Sequence, residues 1–308
     1  MNADMTTPTA GADLLRPFHL ERSQLRGRAI RLGETVDYVL RAHEYPRVVS
    51  ELLGELLVLA GALAGGLKFD GRFSIQVRGD GPVRLLVVDC TNDGQMRGYA
   101  GYDAEAVRER RDDPPTALLG SGLLALTIDQ RATGGEAYQG IVELGGGSLT
   151  DCMLGYFERS EQVPTAVRVA VDRDTMTGRW QAGAIIVQAM PGSRPADGET
   201  AEDHWRRTVL HLGTATDTEL LDPALSLDDL LFRLFHEDGV RVFDPLRLSP
   251  GCTCDEERVL SILKTFTPDE LEEMRLDDGA VTVTCQFCGR HYRFSSGEVD
   301  ALAERRLH

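Results

Sequence analysis

A chain of 308 residues and 33.8 kDa, 42% hydrophobic and 27% charged, can bury a sizeable core in two or three domains, which excludes global disorder. Aromatic residues make up only 6%, too few for an extensive base-stacking surface, and 49 acidic against 33 basic residues leave a net charge of −16. Such a chain is ill suited to phosphate backbones or anionic lipid, so neither nucleic acid nor membrane is expected as a partner.

Residues 1–25 carry Asp4, Asp13, Arg16 and His19 with no apolar core segment. They read as a loose leader, not a secretory signal. Arg28-Ala-Ile-Arg-Leu32 alternates as a strand, and Glu34–Ala42 reads as a short helix. Pro46 then opens a longer helix at a first-turn position. The apolar stretch Val48–Leu67 is interrupted by Glu51 and Glu55 and loosened by glycines and alanines, which favours a buried helix over a membrane span. Strands are predicted at Arg72–Arg78, Val83–Cys90 and Gln95–Tyr102, the first two joined by the hairpin signal Gly79-Asp-Gly-Pro82. A loop at Asp112–Pro115 precedes strands at Gly122–Asp129 and Gly140–Glu143. A helix over Ser148–Ser160 and strands at Val167–Asp172 and Gly183–Met190 follow. Without a regular strand–helix–strand beat the class is α+β.

Pro191–Gly198 has linker composition. Beyond it Thr200 with Asp203 can cap one helix and Ser226 a second. In the second, Leu227, Leu230, Leu231, Leu234 and Phe235 form one apolar stripe that must bury on a neighbour. From Pro245 a third unit begins. Asp255–Phe266 reads as a helix, and Thr267-Pro-Asp-Glu270 as a capping box with proline at the first helical position. A strand at Ala280–Thr284, a tight turn at Cys285–Gly289 and a return strand at His291–Ser295 lead to a last helix ending near Leu307. The organisation is thus a leader (1–25), an α+β core domain (26–192), a helical linker (193–244) and a small C-terminal unit (245–308).

Six cysteines fall in a chain expected to be cytoplasmic, where thiols stay reduced. Cys90 and Cys152 stand alone in apolar surroundings and read as core residues. Cys252, Cys254, Cys285 and Cys288 fall within 37 residues as C-x-C, 30 intervening residues and C-x-x-C. Four thiolates on two tight turns suit one tetrahedral Zn²⁺ per chain, and Cys285-Gln-Phe-Cys288-Gly289 has the shape of a zinc knuckle. On the cysteines alone, a purely structural site and a redox-responsive one both stand. His291 beside the knuckle reads as a surface residue, since four sulfurs already close the site.

The C-terminal unit resembles that of the redox-regulated bacterial heat-shock chaperone family, the 33 kDa chaperonins. The matching residues are Leu234-Phe-His-Glu237, Val240-Arg-Val-Phe243, Cys252-Thr-Cys254, Glu257-Arg258 and Cys285-Gln-Phe-Cys-Gly289. The likeness continues through Leu67-Lys-Phe-Asp-Gly71, Gly79-Asp-Gly-Pro82, Met96-Arg-Gly98, Tyr138-Gln-Gly140, Tyr156-Phe157, Ser160-Glu-Gln162, Pro164-Thr165 and Gln188-Ala-Met-Pro191. It implies a non-enzymatic holdase that needs no ATP. Reduced, it would bind zinc through the four cysteines and be inactive. Oxidised, it would form Cys252–Cys254 and Cys285–Cys288 disulfides, release zinc, expose apolar surface to unfolding clients and tend to dimerise. The stripe from Leu227 to Phe235 then becomes a candidate client surface.

Two other classes share part of this pattern. A zinc-ribbon nucleic-acid-binding protein would share the knuckle, but residues 252–308 hold 12 acidic against 7 basic residues, net −5. A thiol–disulfide oxidoreductase would carry a lone C-x-x-C at a helix N-terminus, whereas this one lies between two strands. The glycines Gly145–Gly147 lack a following Lys-Ser/Thr and read as a turn.

Overall fold

The first described strand lies inside the segment expected to be a loose leader. Leu14–Leu20 (β1) buries Leu14, Leu15, Phe18 and Leu20 and pairs antiparallel along its whole length with Leu25–Leu32 (β2). Pro17 weakens its local strand signal, so the strand is set by long-range pairing. The computed structural model describes residues 13–190 and 200–304, and two units separate in it, Met1–Pro250 and Gly251–His308. The linker-type stretch Pro191–Gly198, the leader before Asp13 and the expected helix end near Leu307 lie outside the described residues.

In the first unit Glu34–Arg41 (α1) is followed by Arg47–Ala64 (α2), with Pro46 as its N-cap, one place earlier than expected. Arg72–Gly79 (β3), Val83–Thr91 (β4) and Gln95–Tyr102 (β5) form a meander. Ala104–Glu109 (α3), which the sequence reading did not include, is capped by the Asp103 carboxylate. Gly122–Asp129 (β6) pairs with β3 and with Ala137–Glu143 (β7). Leu149–Tyr156 (α4) carries a capping box from Ser148 and Asp151 and runs on as a π-turn, Phe157–Glu161. Thr165–Arg173 (β8) and Trp180–Ala189 (β9) pair antiparallel.

Among the described residues the linker region holds three helices where two were expected: Ala201–Gly213 (α5), Asp217–Leu221 (α6) and Leu227–Phe235 (α7). Thr200, Thr216 and Ser226 cap them as hydroxyl acceptors. Three short strands follow, Val240–Val242 (β10), Leu246–Arg247 (β11) and Ser249–Pro250 (β12). One sheet runs β10-β1-β2-β9-β8, with β11 also on β1, and the other runs β12-β5-β4-β3-β6-β7.

Helix α2 lies between the two sheets and is buried nearly all round, as its unbroken apolar sequence demands. Gly54 and Gly61, seven apart, allow the close approach: a Cβ would stand 2.7 Å from Val171 Cγ1 at Gly54 and 2.6 Å from Ile30 Cδ1 at Gly61. The first sheet is covered on both faces. Ile30, Leu32, Ala184 and Ile186 point to the α2 core, while Leu25, Ala29, Ile185 and Val187 point to a second core shared with α5, α6 and α7. That double burial explains the continuous apolar run in β9.

The second unit is far smaller. Glu256–Leu263 (α8) is capped by Asp255, and Pro268–Glu273 (α9) has the expected Thr267–Glu270 capping box. Val281–Thr284 (β13) and His291–Phe294 (β14) form a two-stranded hairpin, followed by Ser296–Glu304 (α10). Its core is Val259, Leu263, Leu271, Val281, Phe294 and Val299. The fold is α+β, and among the described residues no helix is long and apolar enough to cross a membrane.

Candidate metal centre

The four clustered cysteines come together on two short segments of the second unit. Cys252 and Cys254 sit in the extended chain just before the Asp255 cap of α8, whose carboxylate accepts from Arg258 N at 2.7 Å. Cys285 and Cys288 occupy the turn between β13 and β14. Cys285 N donates to Arg290 O at 2.9 Å, and Gly289 N donates to Cys285 O at 2.8 Å. Gly289 takes φ +69°, a left-handed conformation that glycine adopts without penalty.

The four Sγ atoms all lie within 4.8 Å of one another, with Cys252–Cys285 at 3.7 Å and Cys254–Cys288 at 3.4 Å. Sulfurs arranged tetrahedrally at about 2.3 Å from a central ion stand roughly 3.8 Å apart. The donor set therefore fits a metal ion, and a soft one by its all-sulfur chemistry. Sulfurs this close cannot all ionise unaided, because each thiolate repels the next. Burial and neighbouring thiols push Cys288 up to about 12, and burial first of all raises Cys252. Burial also works against ionisation of Cys254, but hydrogen bonds from the Tyr292 hydroxyl and the other thiols outweigh it and bring it to about 7. A divalent cation at the centre reverses the unfavourable balance.

Tyr292 is the site residue that sequence reading missed. Its hydroxyl donates to Cys254 Sγ at 3.1 Å from four residues beyond Cys288. The one available signal was the strand alternation of His291-Tyr-Arg-Phe294, which sets Tyr292 and the buried Phe294 on the same side. His291 is exposed and bonds Thr284 through Nδ1 at 2.8 Å, in keeping with a surface role. Cys90 and Cys152 are buried in the α2 core of the first unit, far in sequence from the cluster.

The five stripe residues of α7 are all covered: Leu230, Leu231 and Phe235 are 0% exposed, Leu234 3% and Leu227 5%. Phe235 stacks on Phe18 of β1 with centroids 5.8 Å apart. Polar contacts hold the linker helices to the same sheet. The Arg31 guanidinium donates to the carbonyls of Leu220 (2.8 Å), Leu225 (2.5 Å) and Glu219 (2.9 Å). Arg168 donates to Ala215 O at 3.0 Å and pairs with Asp217 at 2.6 Å, while Arg16 pairs with Asp228 at 2.7 Å.

A family model described as Hsp33 protein matches residues 13–295. The 33 kDa chaperonin of Caulobacter vibrioides is 42% identical over 287 residues, covering 91% of this chain and 94% of that protein. The 33 kDa chaperonin of Azotobacter vinelandii is 40% identical over 296 residues, covering 94% of each, and that of Escherichia coli is 36% identical over 289 residues, covering 93% and 94%. The crystal structure of the 33 kDa chaperonin (heat shock protein 33 homologue) from Thermotoga maritima superposes with a TM-score of 0.81 at 23% identity, covering 96% of this chain and 99% of that one. The chain belongs to the Hsp33 protein family, whose members are chaperones and not enzymes.

Proposed function

We propose that the protein is a redox-regulated, ATP-independent holdase that captures unfolding proteins when oxidised. The observation that carries the reading is the placement of four mutually close thiols in a unit whose apolar core, among the described residues, is a small cluster of six. Such a core is marginal by itself. Zinc is the ion that suits four sulfurs, and bound there it contributes on the order of 10–16 kcal/mol, all coupled to folding. Cys252, Cys254, Cys285 and Cys288 would hold it, one ion per chain in the reduced state. Tyr292 orients Cys254 through its hydroxyl.

Oxidation of the four thiols to the disulfides Cys252–Cys254 and Cys285–Cys288 removes the whole ligand set. Each disulfide forms with loss of two protons and two electrons, taken up by a two-electron oxidant such as a peroxide. The second unit then loses the larger part of its stability. It is continuous in the chain with the β10–β12 segment and α7, so its unfolding loosens the linker helices. The stripe Leu227, Leu230, Leu231, Leu234 and Phe235, with the sheet face beneath it, becomes an apolar surface for unfolding clients and for a second oxidised copy. The chain would act in the cytoplasm, without nucleic acid or membrane as partner.

The test is light scattering of a heat-unfolding reporter protein with reduced or peroxide-treated chain, with released zinc assayed in the same samples. Suppression of scattering only after oxidation, in step with release of one zinc per chain, is expected. Equal suppression by the reduced, zinc-loaded chain would refute the reading.

A further inference from the structure

A cavity of about 250 Å³ opens in the first unit at the C-terminal end of α2, well apart in sequence from the metal centre. Leu63, Phe73, Leu126, Ile128, Phe157 and Val163 supply apolar wall. Its polar groups are Arg26, Arg28, Gln188, Tyr138, Tyr156 and Glu161.

Arg28 is the unusual member. It is 5% exposed and has no carboxylate partner among the described residues. One Nη donates to Gln188 Oε1 at 2.5 Å, while the buried Nε finds no acceptor. Burial, with Arg26 adding repulsion, pulls its pKa down to about 10. Gly66 makes room for it: a Cβ there would fall 1.3 Å from Arg28 Nη1. A buried, unpaired guanidinium is costly, and a fold retains one where something compensates it. Arg26 adds a second, exposed cation at the rim. The single acid, Glu161, is exposed and accepts from the Tyr156 hydroxyl at 2.6 Å and the Tyr138 hydroxyl at 3.4 Å. The lining thus carries two positive charges against one negative, over an apolar floor. A cavity of roughly 150 Å³ is enough for benzene.

We infer that this cavity binds a small monocarboxylate with an apolar body, of the size of a medium-chain or aryl acid, its carboxylate on Arg28 and its apolar part among Leu63, Phe73, Leu126 and Ile128. A carboxylate supplies the negative charge that Arg28 lacks among the described residues, and charge-assisted hydrogen bonds to guanidinium are the stronger kind. The site is independent of the cysteines and of client capture.

Titration calorimetry on the reduced, zinc-loaded full chain tests this with sodium octanoate and 1-octanol as probes. Saturable binding of one octanoate per chain, about tenfold or more tighter than octanol, is expected. In Arg28→Met the preference for octanoate over octanol disappears while octanol still binds. In Ile128→Trp, which fills the cavity, both probes lose binding. Octanoate that binds no tighter than octanol, or that binds unchanged to Arg28→Met, overturns the assignment. Should Arg28→Met fail to fold, the octanoate preference of the parent chain together with its loss in Ile128→Trp decides: both must hold, and failure of either overturns it.

Discussion

The two units of this chain are stabilised by different physics. In the first, α2 is buried between two sheets and a second core lies on the outer face of one of them, so burial of Leu, Ile, Val and Ala carries the fold. In the second, a small apolar cluster (Val259, Leu263, Leu271, Val281, Phe294 and Val299 among the described residues) shares the work with four sulfurs. A unit built the first way fails with temperature or denaturant and is indifferent to thiol chemistry. One built the second way fails at once when its ligands change chemistry. The linker helices belong by packing to the first kind, yet only the short β10–β12 segment separates them from the second in the chain.

Removing the metal sharpens this contrast most. Chelation of the reduced chain should cost the second unit most of the roughly 10–16 kcal/mol that zinc supplies. Hydrogen exchange should show β13 and β14 losing protection while α2 keeps it. Equal loss in both units would mean that the first unit also depends on the metal.

Leu234→Ala tests the linker packing. The side chain is 3% exposed, and its truncation should cost about 2–5 kcal/mol. We expect partial suppression of client aggregation by the reduced variant with zinc still bound. A variant that is destabilised yet silent until oxidised would show that this packing does not gate client capture.

Arg31→Met breaks the polar side of the same contact. It leaves three carbonyls around α6 and α7 without their donor, at a cost of about 1–3 kcal/mol. Lower thermal stability of α5–α7, followed by exchange of their amides, with α2 unaffected, is the expected result. Unchanged exchange there would reduce Arg31 to a bystander.

The smallest effect belongs to the two remaining cysteines. Burial first, then Asp93 and Asp89, push the Cys90 thiol up to about 12, so it stays protonated and poorly reactive. Cys152 is also buried. Cys90→Ser and Cys152→Ser should keep the oxidant response and the zinc content of the parent. Loss of either would extend the redox system into the core of the first unit.

What could be read from the sequence was what is encoded locally. Gly79-Asp-Gly-Pro82 announced its hairpin, Gly122–Asp129 its strand and Thr267–Glu270 its helix start, because each signal lies within a few residues. The cysteine cluster was legible for the same reason: two tight pairs need only be brought together. Strand β1 was not, since Leu14–Leu20 contains Pro17 and one of its partners, β10, begins more than 200 residues later. Arg31 looked like the polar face of an alternating strand, and only the packing of α6 makes it a donor to three carbonyls. Tyr292 acts on Cys254 from 38 residues away; strand alternation could set its side of β14 but not its partner.

The central claim is that oxidation of the four cysteines unfolds the second unit and uncovers the α7 stripe while the first unit's main core stands. Hydrogen exchange of the full chain before and after peroxide treatment reads it directly, comparing residues 227–235 and 281–294 with residues 52–60. The account predicts that protection falls in the first two segments and holds in the third as chaperone activity appears. Retained protection at 227–235 in an oxidised chain that suppresses aggregation would contradict it.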